Sequence, residues 1–135
     1  MSYGVSNALQ AAVFNALSSS AGIQELIGGA VYDELPVGVS PDLYILIGPE
    51  KVSDRSDKTA RGALHEFTVS VIAATTGFAR AKQVAAAASD AILTNQLTLS
   101  RGHIVNMNFH RAKAIRTSDA KRQIDLIFRS IVQDV

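Results

Sequence analysis

The amino-acid sequence predicts an α+β fold in which helices cover one face of a mainly antiparallel sheet. Three observations lead to this prediction. Apolar residues recur at helical spacing in three segments. In five other segments they alternate with polar residues or run continuously, which is typical of strands. The two kinds of segment do not alternate strictly, as they would in a parallel α/β protein, and the predicted order is α-α-β-β-β-α-β-β.

Two helices are predicted near the N-terminus. Within residues 6–17 the apolar side chains follow one another at steps of three and four, which places them on one helical face. A run of three serines then offers a helix end and a new N-cap, so a short second helix is predicted over residues 21–27. Two glycines directly after it end this helix.

The remaining elements are five strands and a third helix. The predicted strands span residues 30–32, 43–47 with a continuation through 52, 63–75, 103–116 and 123–132. The third helix, about residues 78–94, carries a buried stripe made mostly of alanine, which favours close packing. Residues 117–120 are predicted to join the last two strands as a hairpin. The last strand has apolar side chains on both faces, so both faces are expected to be partly buried.

Composition narrows the class of protein. The 135 residues fit one domain spanning 1–135. The chain has no cysteine, which excludes disulfides, thiolate metal sites and a cysteine nucleophile. Thirteen Lys and Arg against twelve Asp and Glu give a formal charge of +1, which disfavours non-specific coating of nucleic acid. We find no signal peptide and no apolar run near the ~20 residues that span a bilayer, so we expect neither secretion nor membrane insertion.

No catalytic, cofactor-binding or metal-binding motif is apparent. His65, His103 and His110 lack the spacing of helical metal sites, and His103 and His110 would point to opposite faces of an unbroken strand. We therefore interpret the histidines as exposed or hydrogen-bonded strand residues. The sequence contains no G-x-S-x-G motif, no P-loop and no G-x-G-x-x-G motif. These observations predict a protein that is not an enzyme and that needs no cofactor.

Two charged segments are candidates for interaction. The first, residues 54–62, has mixed charge that suits a mobile loop ordered on assembly. The second surrounds the predicted hairpin connection, where Asp119 is the single acid among basic residues. The candidate interaction residues are Asp54, Arg55, Asp57, Lys58 and Arg61 in the first segment, and Arg111, Lys113, Arg116, Lys121 and Arg122 in the second. The basic hairpin has two interpretations. It is a solvated tip whose charges discourage edge-to-edge pairing, or it contacts an acidic partner or the phosphates of passing DNA.

Several segments resemble, in their amino-acid sequence and their order along the chain, a family of small tail-completion proteins: the tail terminators of long-tailed phages and of gene transfer agents. The matching segments are ALQAAV (8–13), IGGAVYDELP (27–36), YILIG (44–48), KTARG (58–62), the helix after Gly77, LTL (97–99) and the last two strands. None of these segments is catalytic, so the resemblance carries no catalytic residue over to this chain.

The resemblance implies an α+β subunit that assembles as a hexameric ring on the head-proximal end of a tail tube. The ring would stop tube polymerisation and join the tail to the head connector, with DNA passing through its lumen without sequence-specific binding. Its partners would be further copies of itself, the tail tube protein and the connector or stopper protein, with no membrane. It would be located in the tail-neck region of a virion or phage-like particle, and in the host cytoplasm during assembly.

Within this role we expect the ring contact on the second face of the last two strands and the tube or connector contact in segment 54–62. The light, alanine-rich core and the near-zero net charge fit a subunit that packs against identical neighbours. The residues leave open whether the particle is an infectious phage or a gene transfer agent.

Two other functions are open at this point. The chain could be a head-side stopper or a tube subunit of the same particle; a tube protein is present in many stacked rings and a terminator in one. Alternatively, a small-ligand-binding or hydrolytic α+β domain would gather His110 or His65 with carboxylates in a concave pocket.

Overall fold

Three helices and five strands make up the described part of the chain in the computed structural model, which covers residues 3–56, 62–75 and 77–134. They are α1 (Ser6–Ser18), α2 (Ala21–Ile27), β1 (Val31–Tyr32), β2 (Leu43–Asp54), β3 (Gly62–Ala73), α3 (Phe78–Leu93), β4 (His103–Arg116) and β5 (Arg122–Gln133). The predicted fold class and element order are confirmed. The glycine and proline at positions 48 and 49 do not end β2, because a β-bulge between Ile47 and Glu50 accommodates them.

The strands form one sheet in the order β1-β2-β3-β5-β4. β1 is parallel to β2, and the other neighbours are antiparallel. The strand that comes last in sequence therefore lies inside the sheet, between β3 and β4. The register of β3 and β5 runs without a shift from the pair Gly62 and Gln133 to the pair Ala73 and Arg122. The pairs on either side, β2 with β3 and β4 with β5, both contain bulges.

The local sequence explains where α2 begins and ends. The Ser20 hydroxyl accepts a hydrogen bond from the Ile23 N–H at 3.3 Å, so Ser20 is the N-cap that the serine run predicts. α2 ends at Gly28, whose φ of +63° lies in the left-handed region that favours glycine. The serine and glycine signals in the sequence are both confirmed.

The helices cover one face of the sheet, which we call the helix face; the opposite face is the open face. The core contains Ile45, Val69, Val71, Leu126 and Phe128 of the helix face. The predicted stripe of α3 is buried against them and consists of Ala81, Val84, Ala85, Ala88, Ala91 and Ile92. Because most of these side chains are methyl groups, they allow the helix backbone to approach the sheet closely.

The start of α1 is fixed to β2 by Glu50. The Glu50 carboxylate accepts hydrogen bonds from the hydroxyls of Tyr3 and Ser6, those from Ser6 being 2.7 and 2.8 Å long. Ser6 is buried, so these bonds satisfy a polar group that water does not reach.

His65 lies on the helix face of β3 and is fully buried, with 0% of its surface exposed. Neither ring nitrogen has a hydrogen-bond partner in the described part of the chain. The expectation of exposed or hydrogen-bonded histidines is therefore wrong for His65, whereas His103 and His110 are exposed. Burial lowers the pKa of His65, and the nearby Glu50 carboxylate opposes this shift.

The free energy of unfolding is expected to fall as the pH is lowered from about 7.5 to about 5.5. Near its ordinary pKa of 6.5 the His65 imidazole takes up a proton in the unfolded chain, whereas burial lowers its pKa in the folded chain and makes it take up that proton less readily. The unfolded state then binds more protons, so acid favours it. Urea titrations at both pH values measure the effect. His65→Leu should flatten the pH dependence and the exposed control His110→Leu should keep it; an undiminished dependence in His65→Leu would contradict this assignment.

Candidate interaction surfaces

The predicted hairpin connection between β4 and β5 is confirmed. The Thr117 N–H donates to the Lys121 carbonyl at 2.8 Å, and the Lys121 N–H donates to the Thr117 hydroxyl at 3.1 Å. Ala120 has a φ of +65°, which the tight turn requires. The Thr117 hydroxyl also donates to the Asp119 carboxylate, and this bond lowers the pKa of Asp119. The tip is thus a defined turn with an ionised acid.

The structure divides the five basic candidates of the hairpin into two groups. Lys121 pairs with Asp119 at 3.6 Å, and the Arg122 guanidinium lies 5.7 Å from the centroid of the Phe78 ring. Both therefore have partners within the fold. The other group lies on β4 and is exposed, and no ion pair between described residues includes any of its members, which are Arg111, Lys113 and Arg116.

Arg116 and Arg122 lie directly opposite each other at the hairpin end of the ladder. Like charges in this position destabilise a strand pair by up to about 1 kcal/mol. Arg122 is turned over Phe78, whereas Arg116 remains exposed. The fold thus retains a locally unfavourable arrangement at this end of β4.

β4 is an edge strand whose outer side has no strand partner in the described residues. It has 14 residues, well above the usual five or six. Residues 108–114 are all exposed, although they belong to both faces of the strand. Two bulges interrupt it, at Val105 and His110, and 51% of Val105 and 46% of Phe109 is exposed. From Arg111 to Arg116 the pairing with β5 is regular.

The open face of β5 combines polar groups that are satisfied within the chain with apolar groups that are not fully covered. The Arg129 Nε lies 3.1 Å from the Glu66 Oε2, and Asp125 accepts bonds from the Ser70 hydroxyl at 2.6 Å and from the Gln123 amide at 2.8 Å. Partly exposed apolar side chains adjoin them on the same face: Ile127 lies between the two polar rows, and Leu64 of β3 and Ile131 form the next row beyond Glu66 and Arg129. A shallow groove of about 300 Å³ borders this region and is lined by residues that include Arg55, Asn108 and His110.

Segment 54–62 leaves the sheet at the end opposite the hairpin. The Arg55 N–H donates to the Gly62 carbonyl at 2.8 Å, which closes the base of the segment. The Ser56 N–H donates to the Asp54 carboxylate at 2.9 Å, and hydrogen bonding with Ser56 lowers the pKa of Asp54. Three candidate residues, Asp57, Lys58 and Arg61, lie outside the described residues. The two candidate segments are therefore not brought together; they lie at opposite ends of the strands.

An acidic region at the other edge of the sheet was missed by the sequence reasoning. Glu25 in α2, Asp33 and Glu34 just after β1, and Asp42 just before β2 are all exposed. The signal was present in the sequence, because no lysine or arginine occurs before Lys51. The net charge of the whole chain does not reveal that the acidic and basic residues are separated in this way.

The described residues contain no group of three or more His, Asp or Glu side chains that could hold a metal ion. The groove that His110 borders has no carboxylate in its lining, and neither has the groove of about 290 Å³ that His103 borders. Among the described helices, none is long and apolar enough to cross a bilayer.

Comparison with known proteins identifies a family and similar solved structures. A family model described as tail completion protein gp17 matches residues 11–133. A chain in the structure described as the virion of the native gene transfer agent particle is similar to this chain with a TM-score of 0.91 and 50% sequence identity, covering 98% of this chain and 99% of that chain. A search of curated proteins gave no match. The resemblance drawn from the sequence segments is confirmed.

Proposed function

Because this chain belongs to the family of the tail completion protein gp17, we propose that it is a tail terminator. It forms a ring, hexameric by the family resemblance, that caps the head-proximal end of the tail tube, ends tube polymerisation and joins the tail to the head connector. The observation that carries the proposal is the end-to-end similarity, at 50% identity, to a component of a gene transfer agent virion. In this role the chain works in the tail-neck region of a virion or phage-like particle, after synthesis in the host cytoplasm.

The placement of the two charged segments supports a role between two partners. β2 and β4 have 12 and 14 residues, so the ends of the sheet are about 40 Å apart at ~3.3 Å per residue. A subunit that joins a tube to a connector needs two separated contacts, and segment 54–62 and the hairpin tip at Lys121 lie at the two opposite ends. We assign the tube or connector contact to segment 54–62, with Asp54 and Arg55 at its base and Asp57, Lys58 and Arg61 assigned from the sequence alone.

The proposed role is structural rather than enzymatic. His65 is buried on the helix face, and the grooves bordered by His103 and His110 lack carboxylates in their linings. A ligand-binding or hydrolytic domain needs these groups to converge. DNA passes through the ring without sequence-specific binding, which agrees with a net charge of only +1.

Deletion of the gene from a strain that makes the particles tests the proposal. Electron microscopy should show tails longer than normal that are not attached to heads, and the wild-type gene supplied in trans should restore tails of normal length. Tails of normal length joined to heads in the deletion strain would overturn the proposal.

The same experiment separates the terminator from the two related roles. Free tails of normal length beside heads that have lost their DNA would indicate a head-side stopper. Absence of tails, together with many copies of the protein per wild-type particle, would indicate a tube subunit. Quantitative mass spectrometry of purified particles should instead give the stoichiometry of one ring.

A further inference from the structure

Charge is separated between the two edges of the sheet. The first 50 residues hold five acidic residues and no lysine or arginine. They supply α1, α2, β1 and the start of β2, and β1 is the edge strand on this side of the sheet. The opposite edge is β4, whose exposed cations are Arg111, Lys113 and Arg116. Neither these cations nor the exposed acids Asp33, Glu34 and Asp42 take part in an ion pair within the described ranges.

The register of the sheet puts the two sets of charges at the same height along the strands. One row of paired residues crosses all five strands and consists of Tyr32, Leu46, Ser70, Asp125 and Lys113. Asp33 directly follows Tyr32, so it lies level with the segment of β4 between Arg111 and Lys113. Four strand spacings of ~4.8 Å separate the edges by about 19 Å, which is beyond the screening length of ~8 Å at physiological salt. The two sets therefore cannot neutralise each other within one chain.

The basic edge also has the features of a surface that lacks a partner. Between Arg111 and Arg116, β4 is regular, its outer side is unpaired among the described residues, and both of its faces are exposed. Cations on a long edge strand discourage unwanted pairing. That protective role does not account for the exposed acids at matching height on the far edge, or for the unfavourable placement of Arg116 opposite Arg122.

We propose that copies of this chain associate head to tail, with the segment 111–116 of β4 in one copy lying against the acidic edge of the next, formed by Asp33, Glu34 and Asp42. The contact is heterologous, because two different surfaces meet, and such contacts close into rings when the rotation between neighbours allows it. The inference rests on the proposed ring function and deepens it. It moves the subunit contact from the open face of β4 and β5 to the two edges of the sheet.

Cross-linking in assembled particles tests which surfaces meet. The chain has no cysteine, so Glu34→Cys and Ala112→Cys introduce unique thiols at the two edges. Particles carrying both substitutions in one chain should give a ladder of cross-linked species with a flexible bis-maleimide. Particles that contain a mixture of the two single variants should give cross-linked dimers, and either single variant alone should give none.

Each other outcome has a defined meaning. Dimers formed by Ala112→Cys alone would show that β4 meets β4, and particles that contain the double variant but give no cross-link would show that other surfaces meet. Both results overturn the head-to-tail contact and leave the terminator function standing. Absence of the protein from purified particles would instead overturn the proposed function.

Charge exchange provides an independent test. R111E/K113E and D33K/E34K should each reduce the yield of complete particles about tenfold or more, because like charges placed together oppose association strongly. The four-substitution variant, which exchanges the charges of the two edges, should recover much of the yield. The control R80E/K82E reverses the same number of charges on α3 and should have little effect. Circular dichroism shows whether each variant folds, and failure of the exchange to rescue folded variants would overturn the proposal.

Discussion

Phe128→Ala is expected to lower the free energy of unfolding by about 3–5 kcal/mol. The Phe128 side chain is fully buried near the middle of β5, where its ring stacks on Phe67 at 5.5 Å and meets the edge of Phe109 at 5.9 Å. Its removal leaves a cavity between the sheet and the helices, in addition to the lost transfer free energy. Since a domain of this size is stable by only about 5–15 kcal/mol, this single change removes a large fraction of the total.

Urea denaturation followed by circular dichroism measures the effect, and Phe109→Ala is the matched control. It makes the same chemical change in the same ring cluster, but 46% of Phe109 is exposed. We expect a loss of about 1 kcal/mol for the control, mostly from the contact with Phe128. Equal losses in the two variants would show that the cluster does not depend on burial at Phe128 in the way described.

Gly102→Ala is expected to cost about 2–5 kcal/mol, the second large effect. Gly102 directly precedes β4 and has a φ of +73°, which is strained for any residue with a Cβ. A methyl group there would also overlap the main-chain oxygen of Gln133 and come within 3.1 Å of the Val5 Cγ2. Gln133 belongs to the interior strand β5, so its backbone cannot yield without shifting the ladder.

Gly38→Ala separates the two causes. Gly38 also has a positive φ, of +82°, but an added methyl group would meet nothing within 4 Å. Its cost should be the backbone strain alone, about 1–2 kcal/mol. Thermal and urea denaturation of both variants give the difference that belongs to the overlap. If the two variants lose the same stability, the contact with β5 does not restrict this position.

Much of the fold could be predicted from the sequence, because periodicity is a local property. The steps of three and four in α1, the alternation in β3 and the alanine stripe of α3 each reflect one element facing one core. The position of β5 between β3 and β4 could not be predicted in this way. Which strands become neighbours depends on contacts between side chains that are distant in sequence, and the periodicity of a single strand contains no information about such contacts.

The candidate surfaces were predicted in part for the same reason. The cations of the hairpin were found because they are close in sequence, but their separation into partnered Arg122 and exposed Arg116 depends on Phe78, more than 35 residues earlier in the chain. The alternation of β3 puts His65 on the same face as Phe67 and Val69, which did indicate its burial. The prediction instead followed the general tendency of histidine to be exposed or hydrogen-bonded. The acidic edge was hidden because its members are spread over several loops and helices.

The interior position of β5 also sets an order of events during synthesis. Residues 122–133 emerge from the ribosome after every other element of the fold, and in the described residues β4 pairs with β5 alone. A chain whose synthesis stops before residue 122 therefore has the acidic edge, but its β4 lacks the strand that orders it and so forms no basic edge. Under head-to-tail association such a fragment can bind one neighbour through its acidic edge but cannot bind a second through β4. Only full-length chains can therefore complete a ring.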